Sequence, residues 1–422
     1  MGLLMSPLLM LLLMTAFAIF GYVTAKARAV RLSGGDIRRL ASLPGFYGQN
    51  AAYSVLIPGL GVFLAGSLLT RIAARQADTG VWQDLAQALP GLVPVLAVVA
   101  AALGLGYALL RTQPAFRSRV AAERWVLGLL IASASIAILT TVAIVFSMLF
   151  ETVNFFSQYS WTEFLFGTTW APDFRGNSSL GILPLLWGTL YISFVALLFA
   201  VPVGLFAAIY LSEYAGPKLR GIAKPLIEIL AGIPTIVYGL FALVTVGPMI
   251  RDWLAQPLGL GTSGSSVLTA GLVMGVMLIP FVSSLSDDII NAVPQAMRDG
   301  SLGLGATKSE TIRQVVIPAA LPGIVGAVLL ATSRAIGETM IVVLGAGAAA
   351  ARLNEGIGEM VNPFEAMTTV TVKIVSQLTG DTDFAAPETL VAFALGLTLF
   401  VMTLGLNVLA LYIVRKYREQ YE

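Results

Sequence analysis

Long apolar runs, each closed by a short polar stretch, make up most of this chain. Nine of them reach or approach the roughly 18–20 residues that carry a helix across a bilayer. They predict spans at about 3–23, 51–70, 88–110, 125–150, 183–211, 223–250, 268–284, 319–347 and 389–414. The second is the weakest, interrupted by Pro58, Gly59 and Gly61. A membrane β-barrel would show short alternating segments instead. The expected fold class is an all-α polytopic membrane protein.

Composition agrees and removes several functions. With 57% of residues hydrophobic and 11% charged, a soluble core could not hide the apolar surface. A net charge of +2 gives no basic bias toward nucleic acid. The chain has no cysteine and no histidine, so disulfides, thiol chemistry, the commonest metal ligand and the commonest proton shuttle are all missing. No GxxxxGK[ST] phosphate loop occurs, so any ATP involved is hydrolysed by another chain.

Lysine and arginine in the connecting segments predict an orientation. With the segment after the first span placed in the cytoplasm, inner segments hold 18 of them and outer segments 6, with Arg334 left inside a span. This puts the N-terminus outside, and the 285–318 segment and the C-terminus inside. The first run has no positive residue before it and Lys26, Arg28 and Arg31 after it, so it is expected to be a retained helix rather than a cleaved leader. The expected division is at about residue 122. Three spans and the basic linker Arg111–Arg124 precede it as an N-terminal membrane extension, and six spans occupy 123–422.

Two local features carry expectations of packing. The outer segment 151–182 is rich in aromatics, among them Phe155, Phe164, Trp170, Trp161 and Phe166. An interfacial belt is the favoured reading, and a docking surface for an external partner the alternative. Ile233-Pro234-Thr235 interrupts the sixth span, where a packing kink is expected. Glu228 lies upstream, near the inner face, as a local cap or pair.

Two features carry chemistry. In the inner segment, Asp299-Gly300-Ser301 is followed by Gly305 and, nine residues later, by Val315-Val316-Ile317-Pro318. This reads as helix, glycine turn, helix, with Gly303 and Gly305 free to take positive φ and Pro318 opening the eighth span. Such a hairpin is a knob for another protein's groove. The second feature is Arg334 with Glu338, four residues apart and expected one turn apart on one helical face. Arg334 lies roughly 24 Å along the axis from Pro318, at or beyond the middle of a bilayer. A lone arginine there costs on the order of 3 kcal/mol or more, so it is expected to face a partner or a wet path. Its planar fork suits an oxyanion, and a neighbouring carboxylate would neutralise it at rest. A purely structural salt bridge is an equal alternative on physical grounds.

The inner hairpin resembles the EAA loop of ABC importer permeases, whose form is EAA, three residues, Gly, nine residues, I-x-L-P. The glycine and its spacing match, Asp299 keeps the acid, and Gly300 and Ser301 replace the alanines. Ser333-Arg334-Ala335-Ile336-Gly337-Glu338-Thr339-Met340 resembles the RAxGETM stretch of permeases in the bacterial phosphate-specific (Pst) ABC transporter. Ile233 to Gly239, Trp170-Ala171-Pro172 and Leu278-Ile279-Pro280 extend the likeness over roughly 123–422. The methionine after Glu-Thr favours the C-type subunit.

The resemblance implies a type I ABC importer transmembrane fold, with about six core helices and three further ones. It implies a non-enzymatic subunit that forms half of a phosphate path by alternating access in the bacterial inner membrane. Implied partners are a second permease, a cytoplasmic ATPase pair and an external phosphate-binding protein. This chain would hold no cofactor, ATP-Mg being bound by the ATPase. By resemblance, Arg334 and Glu338 line the phosphate path, while Asp299, Gly300, Ser301, Gly305, Ala306 and Pro318 belong to the ATPase contact. An importer of sulfate or molybdate, or a secondary phosphate symporter with Glu338 as proton site, stands as the alternative.

Overall fold

A computed structural model describes residues 7–75, 80–173, 178–354, 356–379 and 386–418. Among these, nine helices are long and apolar enough to cross a membrane, matching the nine expected runs. The start of the first run, residues 3–6, lies outside the described residues. Contacts divide the chain into two compact units, Met1–Val142 and Ala143–Glu422. The boundary falls inside one unbroken helix, which also runs through residue 122.

The first unit holds α1 (Pro7–Leu32), α2 (Pro44–Arg75), α3 (Gly80–Arg111) and the start of α4 (Ser118–Gln158). In lipid, helices associate through close packing, so small residues mark their contacts. Ala18, Ala25, Ala51, Ala97, Ala101 and Ala108 are all buried here. A β-carbon on Gly104 would lie 1.7 Å from the Ser54 carbonyl oxygen, so only glycine allows α2 and α3 to approach there.

The second unit continues with α5 (Trp161–Phe166), α6 (Leu183–Tyr214), α7 (Pro217–Gly232) and α8 (Thr235–Ala255). Then follow α9 (Val267–Ala292), α10 (Gln295–Gly303), α11 (Lys308–Ile336), α12 (Met340–Gly345), α13 (Val370–Thr379) and α14 (Pro387–Arg418). Its centre is the pair α6 and α9. Along α6, Gly188, Ile192, Ala196, Ala200, Gly204 and Ala208 recur every fourth residue as one buried stripe. Opposite them, a β-carbon on Gly275 would come within 3.0 Å of the Ala196 carbonyl.

Proline placement explains the irregular turns. A proline inside a helix lacks an N–H and its ring meets the carbonyl four residues back. Three wide π turns, Ala242–Val246, Arg251–Ala255 and Ile312–Val316, each end two residues before a proline, namely Pro248, Pro257 and Pro318. A fourth, Tyr210–Tyr214, precedes Pro217 by three. The widened turn moves the conflicting carbonyl aside and lets the helix continue. The eighth span accordingly begins at Lys308, and Pro318 lies within it rather than at its start.

The sixth span differs more. At Ile233 and Pro234 the chain is extended (φ −72°, ψ 128° and φ −56°, ψ 135°), a full break where a kink was expected. A residue before proline is pushed out of the helical region. The Leu230 carbonyl, orphaned by Pro234, accepts the Tyr238 hydroxyl at 2.8 Å and the Ile233 N–H at 3.3 Å. Residues 217–232 thus form a separate amphipathic helix, and the span itself runs from Thr235 to Ala255.

The outer aromatic segment is a core and not chiefly a belt. Phe155, Phe164 and Trp170 are buried with Leu180, Leu185 and Val370 under a two-stranded ribbon, β1 (Trp170–Ala171) and β2 (Ser179–Leu180). Trp161 and Phe166 stay exposed.

Candidate translocation site

Arg334 lies near the end of α11, and its guanidinium stacks over the Phe281 ring of α9 at 4.1 Å. Phe281 is about 21 Å from the N-terminal end of α9 by helical rise, near the middle of the span. Glu228 and Ala231 of α7, Pro280, Ser284 and Leu285 of α9, and Leu330 of α11 complete an open cleft of about 500 Å³. Arg334 is exposed to that cleft, and among the described residues it joins no ion pair. Stacking on an aromatic face contributes about 2 kcal/mol when desolvated. That does not offset on the order of 3 kcal/mol or more for a cation at this depth. The balance calls for water, a partner chain or an anion in the cleft.

Glu338 corrects the expected pair. Helix α11 stops at Ile336 with Gly337 as its cap, so Arg334 and Glu338 do not share a helical face. The Glu338 side chain is buried, and Oε1 accepts the N–H groups of Met340 at 3.1 Å, Thr339 at 3.2 Å and Ile341 at 3.4 Å. A carboxylate there satisfies the first donors of α12 and sits at the positive end of its dipole. The Thr371 hydroxyl holds the Glu338 carbonyl at 2.9 Å. Glu338 organises the break beyond Arg334, and among the described residues the one carboxylate lining the cleft, Glu228, forms no ion pair with the arginine.

The inner hairpin has the expected helix–turn–helix form. Gly305 has φ +89°. The Ala306 N–H returns to the Ser301 carbonyl at 3.2 Å and the Gly305 N–H to Leu302 at 3.0 Å, the paired closure of a helix ended by a left-handed glycine. Thr307 and Glu310 then form a reciprocal cap that starts α11. The hydroxyls of Ser301 and Thr311 meet at 2.9 Å across the turn. Asp299 is exposed and accepts from Gln295 at 2.9 Å. Gly300 is open to solvent and Pro318 sits further along α11. At the tip, Leu304 is 92% exposed.

Two ionic clamps, absent from the sequence expectations, lie beside this hairpin: one ties it to α6, and the other ties α7 to α9. The Arg298 guanidinium of α10 meets the Glu213 carboxylate at the end of α6, both largely buried, and also donates to the Ile290 carbonyl at 2.6 Å. On α9, the buried Asp287 accepts Lys224 at 2.8 Å and Arg220 at 2.9 Å, both from α7. The hydrogen bond to Asp287 raises the Lys224 pKa above its ordinary 10.5. The signals were present as Arg220 and Lys224 four apart on an amphipathic helix, and as Thr307 three before Glu310. The partners of Arg220, Lys224 and Arg298 lie more than 60 residues away in sequence, beyond the reach of local pattern. In α13, burial lowers the Lys373 pKa, and its ammonium donates to the Ala348 carbonyl at 2.9 Å.

Comparison with known proteins places these features in a family. The model of the binding-protein-dependent transport system inner membrane component matches residues 200–419. A second model, described as phosphate ATP-binding cassette transporter, matches residues 10–80, in the first unit. A phosphate transport system permease protein PstC 1 of Mycobacterium tuberculosis is 38% identical over 255 residues, 56% of this chain and 72% of that protein. A probable ABC transporter permease protein YqgH of Bacillus subtilis is 34% identical over 241 residues, covering 57% and 74%. PstC of Mesorhizobium japonicum is 33% identical over 269 residues, covering 60% and 78%. A solved bacterial alginate ABC transporter covers 70% of this chain and 96% of its own at 16% identity and a TM-score of 0.48.

Proposed function

Because this chain belongs to the binding-protein-dependent transport system inner membrane component family, a family of multi-pass permeases, we propose that it is one permease subunit of an ATP-driven phosphate importer. The observation that carries the substrate is Arg334 in a deep cleft with no ion pair among the described residues, in a chain whose relatives are phosphate permeases. Sulfate and molybdate importers are less favoured, since both halves of the chain match phosphate transport proteins.

In this reading a second permease faces the cleft and completes the path. An external binding protein delivers phosphate and an ATPase pair grips the 299–306 hairpin, with Leu304 as its apolar knob. Chemistry at the site is electrostatic. Arg334 offers a planar fork of donors to a phosphate oxygen. One cation holds phosphate loosely, as passage requires. Glu228, on the opposite wall, carries like charge to the ion and favours its release inward. Movement of the hairpin passes through the buried Arg298–Glu213 pair to α6, and through the π turn into α11. The positive bias of the segments supports an orientation with the hairpin and C-terminus inside and the N-terminus outside.

The test is radiolabelled phosphate uptake at micromolar phosphate, in cells lacking their own high-affinity importer and supplied with this chain and its partners. Uptake that resists excess sulfate and molybdate is expected. Ready competition by sulfate, or none by unlabelled phosphate, would overturn the substrate.

A further inference from the structure

We propose that the first unit binds the phosphate of an acidic phospholipid in a basic cleft between the ends of α3 and α4. This site is separate from the path above and does not depend on it. The cleft is about 520 Å³. Arg111 closes α3, and Arg117 and Arg124 flank the start of α4, so three guanidinium groups converge on one space. Among the described residues none of the three is in an ion pair. The carboxylate within reach by sequence, Glu123, is held by Arg119 at 2.7 Å. Asn50 also lines the cleft. The residue is 5% exposed. Its amide can donate to an anion oxygen in the cleft.

The surroundings choose a lipid over a free ion. Val120 lines the same cleft and is exposed, as are the adjacent Leu110 and Val126. These form an apolar wall that an acyl chain covers and that free phosphate would leave wet. Tyr107, with Arg111 stacked 5.0 Å above its ring, and Trp125 stand at the rim, as aromatic residues do at the headgroup level of a bilayer. The ends of α3 and α4 carry the excess of arginine that marks the cytoplasmic leaflet, where acidic lipids attract such clusters.

The test is native mass spectrometry of the full chain titrated with phosphatidylglycerol or phosphatidylcholine. Wild type is compared with the triple variant R111Q/R117Q/R124Q and with R28Q/R31Q/R38Q, which loses the same charge elsewhere. Phosphatidylglycerol is expected to bind in preference. The cleft variant should weaken it about fivefold per arginine, on the order of a hundredfold in all, and the control only slightly. Millimolar inorganic phosphate should not displace it. Equal binding of the two lipids, or equal loss in the control, would overturn the proposal. Displacement by phosphate would overturn it in favour of a free-ion site. If the triple variant fails to fold, Asn50→Asp decides. A carboxylate in the cleft should repel the lipid, and full retention by that variant would sink the idea.

Discussion

At the scale of single residues, Arg334 and Glu338 separate into two roles that their four-residue spacing had merged. Glu338 caps α12 through backbone N–H groups, a function that needs an acceptor oxygen and only secondarily a charge. Glu338→Gln keeps such an oxygen, so uptake should stay within about threefold of wild type. Glu338→Ala removes it and should cost about 1 kcal/mol or more of stability, seen as a lower melting temperature of the purified complex. A Glu338→Gln variant that folds normally but abolishes uptake would return the carboxylate to the path. Asp287 is a simpler case. It is 1% exposed and gathers two cations that are each about a third exposed, so Asp287→Ala should lower stability by about 1–2 kcal/mol, less than loss of a fully buried pair. For Lys224 the folded pKa is raised, so its contribution is fully present below the unfolded value of 10.5 and is lost as pH rises through the folded value. The α7 clamp should therefore be indifferent to pH across the neutral range and loosen only under strong alkali, which hydrogen exchange of residues 217–232 would report.

At the scale of elements, the hairpin is the piece that must move and hold its shape. A side chain at Gly305, where φ is +89°, costs about 1–2 kcal/mol. Gly305→Val should therefore reduce uptake together with transport-stimulated ATPase activity. Leu304→Asp touches no packed neighbour, being 92% exposed. It should leave the permease level in the membrane unchanged and uncouple ATP hydrolysis from uptake; normal coupling in that variant would remove Leu304 from the ATPase contact. How much of this was legible follows from the range of the interactions. The nine spans, the glycine turn and its following helix depend on composition and local propensity, which a sequence displays directly. The break at Ile233-Pro234 was visible as a proline, but its depth depends on Tyr238 capturing the Leu230 carbonyl, a contact across the gap. Four residues within one apolar run looked like one helical turn between Arg334 and Glu338. The capping of α12 by Glu338 ends that turn at Gly337, and only the folded chain shows it. The clamps at Asp287 and Glu213 bring together charges far apart in sequence, each of which looked like an ordinary charged residue near a helix end.

At the scale of the whole molecule, orientation and transport are the claims to test. The chain contains no cysteine, so single introduced cysteines report topology without background. Ser301→Cys should react with an impermeant maleimide only from the cytoplasmic side, and Ser263→Cys only from outside; the reverse pattern would invert the proposed orientation. The account as a whole rests on one cation in a deep cleft that joins no ion pair among the described residues. The measurement that reaches it most directly is phosphate uptake by the complete complex in vesicles, wild type against Arg334→Gln, at matched protein level and with ATP hydrolysis recorded in parallel. The account predicts that the variant assembles and still hydrolyses ATP, while phosphate uptake falls by about tenfold or more, as loss of a charge-assisted contact of about 1.5 kcal/mol or more requires. Uptake at the wild-type rate in an assembled complex would contradict it and leave Arg334 as a packing residue stacked on Phe281.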